Sequence, residues 1–346
     1  MFPPRAPFFL ETWGTFRFPT PLHTSSTEDR QMTTLDQAEA VAAPRVAEAR
    51  RRWGRGFAAN WWRYLIALIA IAFALFPILY VVSAAFNPVD SLSGSGLIPD
   101  EVTLDNFRAI LSGTPGEVGT SEEGLDIPYK NWYVNMLFIS GATAIISVFF
   151  GALAAYAFAR YRFKGRRMGM MSLLLIQMFP TFLAVVAIYL VMLRVGNVFP
   201  SIGLDTRAGV ILVYLGGALG VNTWLMKGFL DSIPDSLDES ARVDGATPAQ
   251  VFWAIILPLA TPVLAVVALL SYIGTINEFV IASVLLDSND KFPMSVGLYS
   301  FIQDKYAQQW GTFCAGVVLA AIPVVILFFF LQRFIAEGLT RGAVKG

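Results

Sequence analysis

Six stretches of this sequence are apolar over enough residues to cross a hydrocarbon layer about 30 Å thick, which needs about 20 residues as helix. They run from about Tyr64 to Phe86, Trp132 to Phe158, Met168 to Leu193, Val210 to Met226, Val263 to Leu286 and Phe313 to Phe334. A bilayer offers the backbone no water, so each segment must satisfy its own amides and carbonyls as helix. The expectation is an all-α, polytopic membrane helical bundle with six transmembrane helices. Composition agrees: 55% of the 346 residues are hydrophobic, 14% are charged and mean hydropathy is +0.59, too apolar for a water-soluble globule. Residues 60–346 read as one membrane domain, and 1–59 as a largely disordered N-terminal cytoplasmic tail.

Basic residues orient the bundle. Arg45, Arg50, Arg51, Arg52, Arg55 and Arg63 precede the first span, and Arg160, Arg162, Lys164, Arg166 and Arg167 fill the loop between the second and third. With Lys227, Arg242, Arg333, Arg341 and Lys345 they make 16 on one side against six on the other, which places both termini in the cytoplasm. Residues 1–31 carry Pro3, Pro4, Pro7, Pro19 and Pro21 without a continuous apolar core, so they do not read as a signal peptide. Met32 is the expected start. The Leu35–Gly54 stretch reads either as a cytoplasmic helix or as a solvated charged tail.

Between the fourth and fifth spans lies a built element, Glu239-Ser240-Ala241-Arg242-Val243-Asp244-Gly245-Ala246, followed by Phe252 and Leu257-Pro258-Leu259. It reads as two short helices joined by a sharp turn. Ser236, with Glu239 three residues on, is expected to cap the first, and Gly245 to end it in the left-handed conformation. Thr247, Pro248 and Gln250 spell the start of the second, and Pro258 its stop. Val251, Phe252, Ile255 and Ile256 recur on one face, an apolar ridge presented to something. From the residues alone the element is either a docking hairpin or an amphipathic hairpin on the membrane surface.

Polar residues inside the spans are few. Asn277 and Glu278 fall within the fifth, where a carboxylate costs about 3 kcal/mol on insertion scales and must face the bundle interior, a partner or water; Glu278 reads either as a functional group, as a structural hydrogen bond between helices or as a carboxylate wetted near the outer surface. Gln177 with Pro180 marks a kink in the third, and Gly216 with Gly220 a close contact in the fourth. Residues 87–131 form a long acidic external loop in which Thr103-Leu104-Asp105-Asn106-Phe107 opens a short amphipathic helix. The loop from Asp287 to Trp310 holds Phe292, Tyr299, Phe301, Tyr306 and Trp310, either anchors for a soluble partner or an aromatic belt. One cysteine, Cys314, and one histidine, His23, make an internal disulfide or a Cys/His metal cluster impossible. The sequence has no phosphate loop and no hydrolase elbow, and an enzyme is not expected.

The Glu239–Ala246 stretch with its distal Leu-Pro resembles the EAA loop of membrane subunits of ATP-binding-cassette importers, with Ser240 where the family form has alanine. Glu278 with Ala282-Ser283-Val284-Leu285-Leu286, the Trp310-Gly311-Thr312-Phe313 entry to the last span and the terminal Gly338–Gly346 run narrow the resemblance to the second, G-type permease of the carbohydrate-uptake, maltose/maltodextrin class. It covers about residues 60–346. The resemblance implies a type I importer permease in a bacterial-type plasma membrane. Its loop, about 228–262, would couple to a separate ATPase through Glu239, Ser240, Ala241, Asp244, Gly245, Ala246, Phe252, Leu257 and Pro258. It further implies a paralogous second permease, two ATPase subunits and an extracytoplasmic sugar-binding protein touched by Tyr299, Phe301 and Tyr306. Gln177, Asn277 and Glu278 become pathway candidates. ATP and Mg would be bound by the partner ATPase, with no cofactor held by this chain, no metal and no nucleic acid. The cargo is expected to be maltose/maltodextrin, trehalose or a similar oligosaccharide. A non-sugar importer permease, an ion-coupled secondary transporter and a membrane scaffold remain the other classes.

Overall fold

The computed structural model describes residues 61–88, 99, 101–112, 128–303 and 309–343, with 335–343 described as helix only. The expectations for the N-terminal tail, Met32 and Tyr306 lie outside them. The chain divides into 1–74 and 75–346; of the first unit only the opening turns of one helix are described. Among the described residues the regular structure is helical. The elements are α1 (Trp61–Ala85), α2 (Asp105–Ser112), α3 (Tyr129–Arg160), α4 (Arg166–Met178), α5 (Thr181–Val198), α6 (Arg207–Leu230) and α7 (Ser236–Val243). They continue with α8 (Pro248–Leu259), α9 (Thr261–Ile276), α10 (Val280–Leu285), α11 (Met294–Gln303) and α12 (Trp310–Ala343).

Five helices are long and apolar enough to cross a membrane, six if the α8–α9 pair, bent by 75°, is taken as one span. The third and fifth segments are therefore not the continuous spans expected. Phe179–Pro180 separates α4 from α5, because proline cannot donate to the ladder and pushes its predecessor out of the helical region. Asn277–Phe279 separates α9 from α10.

The packing has two poles. At one, Ala152, Tyr156, Met226 and Leu230 bury against Ala241, Val251, Phe252 and Ile256. At the other, Ala85, Ile110, Trp132 and Met136 bury against Met294, Leu298, Phe301 and Cys314. Between them, Ile139, Val210 and Tyr214 meet Ile281 and Ala282. Large apolar side chains stay uncovered on α3, α4 and α5, such as Ile145 at 72%, Met178 at 77% and Phe182 at 76%. Such an exposed apolar surface belongs against lipid or another membrane chain.

Within the expected loop from Asp287 to Trp310, Met294–Gln303 forms the helix α11. α11 buries Met294, Val296, Leu298 and Phe301, and Asn135 at the far end of α3 donates to the carbonyls of Asp290 and Phe292 at 2.8 and 3.0 Å. The Trp132 indole donates to the Asn289 carbonyl at 2.7 Å. α2 forms where its amphipathic pattern placed it, and Asn106 ties it down by donating to the carbonyls of Ala85 and Asn87.

Candidate functional site

α7 and α8 form the hairpin that the sequence marked. Ser236 is not the cap: Asp235 takes that position with no side-chain cap bond, because its carboxylate is drawn to the Arg160 guanidinium at 2.7 Å. The exit is as expected. Gly245 has φ +86°, its amide donates to the Arg242 carbonyl at 3.0 Å, and the Ala246 amide reaches back to the Ala241 carbonyl at 2.9 Å. That pair of bonds is a Schellman turn, closing two carbonyls the helix end leaves open. Thr247 then makes a complete capping box with Gln250, with Pro248 in the first turn.

Pro258 does not stop α8. Residues Val251–Ile256 widen into a π-turn, in which the Leu257 amide donates to the Phe252 carbonyl five residues back. The wider turn relieves the clash between a proline ring and the carbonyl four residues before it. The helix runs on to Leu259 and then bends into α9. Its apolar ridge also faces inward. Val251, Phe252 and Ile256 are 0%, 5% and 1% exposed and grip α3 and α6.

The expected coupling residues thus divide in two. Ala241 and Phe252 are buried anchors, and Ala246 and Leu257 are half-buried against them. Glu239, Ser240, Asp244, Gly245 and Pro258 are exposed, with Val243 beside them at 88%. What holds this face in place was not expected: Arg160, at the end of α3, has a side chain only 5% exposed and pairs with Asp238 and Asp235. Its guanidinium also donates to the Ile233 carbonyl at 3.0 Å. In the sequence Arg160 counted merely as one positive charge in a basic loop.

Two of the intramembrane candidates, Gln177 and Glu278, meet α6. The half-buried Gln177 donates to the Gly217 carbonyl at 2.5 Å, and a β-carbon at Gly220 would meet its amide nitrogen at 2.7 Å, so the small residue admits it. Gly216 faces open space. Three residues before Gly217, the Tyr214 hydroxyl donates to Glu278 at 2.7 Å. Glu278 also accepts from the amides of Ile281 and Ala282, so its carboxylate caps α10 and bolts that helix to α6. Asn277 lines a cleft of about 400 Å³ with Ser295 among apolar residues of α3, α9, α11 and α12. Of the aromatic candidates, Phe301 is buried edge-on to Trp132. Tyr299 is 42% exposed and packs on Phe279.

A second knot stands at the pole away from the hairpin. Asp205, at φ +53°, receives Lys291 Nζ at 2.6 Å, the Ser288 hydroxyl at 2.6 Å and the amides of Asp287 and Ser288. Partial burial pushes its carboxyl up, but these donors together hold it well below the usual carboxylate range.

Residues 147–341 match the family described as the binding-protein-dependent transport system inner membrane component. The maltose/maltodextrin transport system permease protein MalG of Salmonella typhimurium is 40% identical over 283 residues, covering 82% of this chain and 95% of the relative. That of Vibrio vulnificus is 38% identical over 288 residues, 82% and 96%. The galactooligosaccharides transport system permease protein GanQ of Bacillus subtilis is 37% identical over 283 residues, 82% and 94%. A solved chain of a bacterial ABC transporter involved in the import of alginate shares the fold, with TM-score 0.62 at 24% identity over 91% of this chain and 99% of that one. The chain belongs to the family of binding-protein-dependent transport inner membrane components. It is a multi-pass permease of the inner membrane.

Proposed function

We propose that this permease imports sugars and is driven, through the α7–α8 hairpin, by a separate ATPase that binds ATP and Mg. The observation that carries the coupling role is the division of that hairpin into a buried root and an exposed rim. Ala241, Val251, Phe252 and Ile256 fix the root to α3 and α6, while Ser240, Val243, Asp244 and Gly245 stand free for a partner. The basic residues at this pole support a cytoplasmic location for the hairpin.

The chain is read as one of two paralogous permeases, working with two ATPase subunits and an extracytoplasmic sugar-binding protein. The uncovered apolar face of α5, with Phe182, Leu183 and Val186, supports contact with the second permease. Relatives named for maltodextrin and for galactooligosaccharides support an oligosaccharide cargo. Asn277 beside Ser295 offers hydroxyl-compatible polar groups in the cleft, and Tyr299 offers the open aromatic face to the binding protein. Phe301 acts from beneath, as support.

The coupling role is tested at Gly245. A β-carbon there meets nothing within 4 Å, so Gly245→Val changes only the backbone preference, with strain of about 1–3 kcal/mol. The variant is expected to insert and assemble but to lose sugar-stimulated ATP hydrolysis in the reconstituted complex. Stimulation at the parental level would dismiss the coupling role. The cargo is tested by uptake of maltodextrin, trehalose and galactooligosaccharides, each with its binding protein; no uptake of any of them would remove the sugar assignment.

A further inference from the structure

We propose that the cleft between the start of α4 and the end of α6 binds the headgroup of an anionic phospholipid. The cleft measures about 800 Å³, within the range of built small-molecule sites. Its polar rim is cationic: Arg166, Arg167 and Lys227 stand against one carboxylate, Asp231, which Lys227 pairs with at 2.5 Å. Arg166 and Arg167 have no acidic partner among the described residues. They sit in the first turn of the 13-residue α4, whose N-terminus has no side-chain cap. The partial positive charge of that terminus adds to theirs.

The walls identify which phosphate fits. Met168, Met171 and Leu174, at 75%, 54% and 38% exposure, continue the cleft along α4, and Trp224 at 49% faces them from α6. A free phosphate gains nothing from such walls. A phospholipid fills both parts, with its phosphate on the arginines and its chains along the methionines and leucine, while an indole favours the headgroup level. Basic pockets between membrane helices on the positive side are suited to this chemistry. The cleft lies at the hairpin pole, where Lys227 and Asp231 close α6 just before α7.

The test uses the assembled transporter in detergent, titrated with dioleoyl phosphatidylglycerol or phosphatidylcholine and read by native mass spectrometry. Arg166→Gln with Arg167→Gln is expected to weaken phosphatidylglycerol binding about thirtyfold, the loss for two basic side chains at an anionic surface, and to leave phosphatidylcholine unchanged. Millimolar inorganic phosphate is expected not to displace the lipid. Equal phosphatidylglycerol affinity in parent and variant, or displacement by inorganic phosphate, overturns the proposal. If that variant does not assemble, Met171→Glu sets a carboxylate in the wall: loss of phosphatidylglycerol binding supports the site, and unchanged binding overturns it. The titration reads lipid and not transport, so it stands or falls apart from the cargo assignment.

Discussion

Arg160 is by type a surface residue, yet it is buried between α3 and the hairpin and holds Asp235, Asp238 and the Ile233 carbonyl together. Removing one member of a buried pair leaves the other charged and unpaired, which costs about 3–5 kcal/mol, whereas replacing both by apolar groups is often near neutral. Arg160→Met is therefore expected to lower the unfolding temperature sharply, and Arg160→Met with Asp238→Leu to recover most of it. A double variant no more stable than the single would show that the pair is not the anchor. Asp205 gives a test of opposite character. Its folded-state carboxyl lies below the unfolded value, so the stability it contributes is complete above about pH 4 and is lost only as pH falls through the depressed folded value. Asp205→Asn is expected to cost about 1 kcal/mol, discounted for partial exposure, evenly between pH 5 and 8 and less on further acidification. A penalty that grows on acidification from pH 8 to 5 would contradict this, as measured by thermal unfolding in matched buffers.

The elements show where sequence reading succeeds and where it stops. Thr247-Pro248 with Gln250 and the Gly245 turn were legible because capping is local chemistry, complete within four residues. The Asn277–Phe279 break was not, because the apolar run continues through it and hydropathy has no term for a helix that stops and restarts. For Glu278 a hydrogen bond between helices was one of the readings open, but its partners Tyr214 and the α10 amides meet it only in the fold. Pro258 misled for a further reason: a π-turn lets a helix keep a proline, and nothing in Val251–Ile256 announces one. Glu278 supplies the test at this scale. Gln retains an acceptor oxygen for the Ile281 amide, so Glu278→Gln is expected to keep transport within a few-fold of the parent. Glu278→Ala removes the cap and the α6 bolt, costing about 1–3 kcal/mol and much of the activity. Loss of transport in a fully stable Glu278→Gln would instead make the charge itself part of the cycle.

At the scale of the whole molecule, α3 joins the two poles. Arg160 pins one end to the hairpin, Trp132 and Asn135 pin the other to the Asn289–Phe292 turn, and Gly151 closes onto Asn222 of α6 between them. Rotation of α3 as a rigid rod about its close contact at Gly151 would move its two ends in proportion to their distances from that contact. At 1.5 Å per residue the arm from Gly151 to Arg160 is about 14 Å and the arm to Asn135 about 24 Å. On the proposed coupling through the hairpin, a displacement there should emerge at the far pole reversed and magnified about 1.8-fold by that ratio of arms. Spin labels at the exposed pairs Val134 with Leu212 and Tyr161 with Leu225 read the two ends against α6. Nucleotide-driven distance changes in that proportion are expected; equal changes would mean that α3 slides as a piston. With its short arm at the hairpin, such a rotation gains travel and loses force, so a small movement of the proposed docking face would be matched by a larger one at the opposite pole.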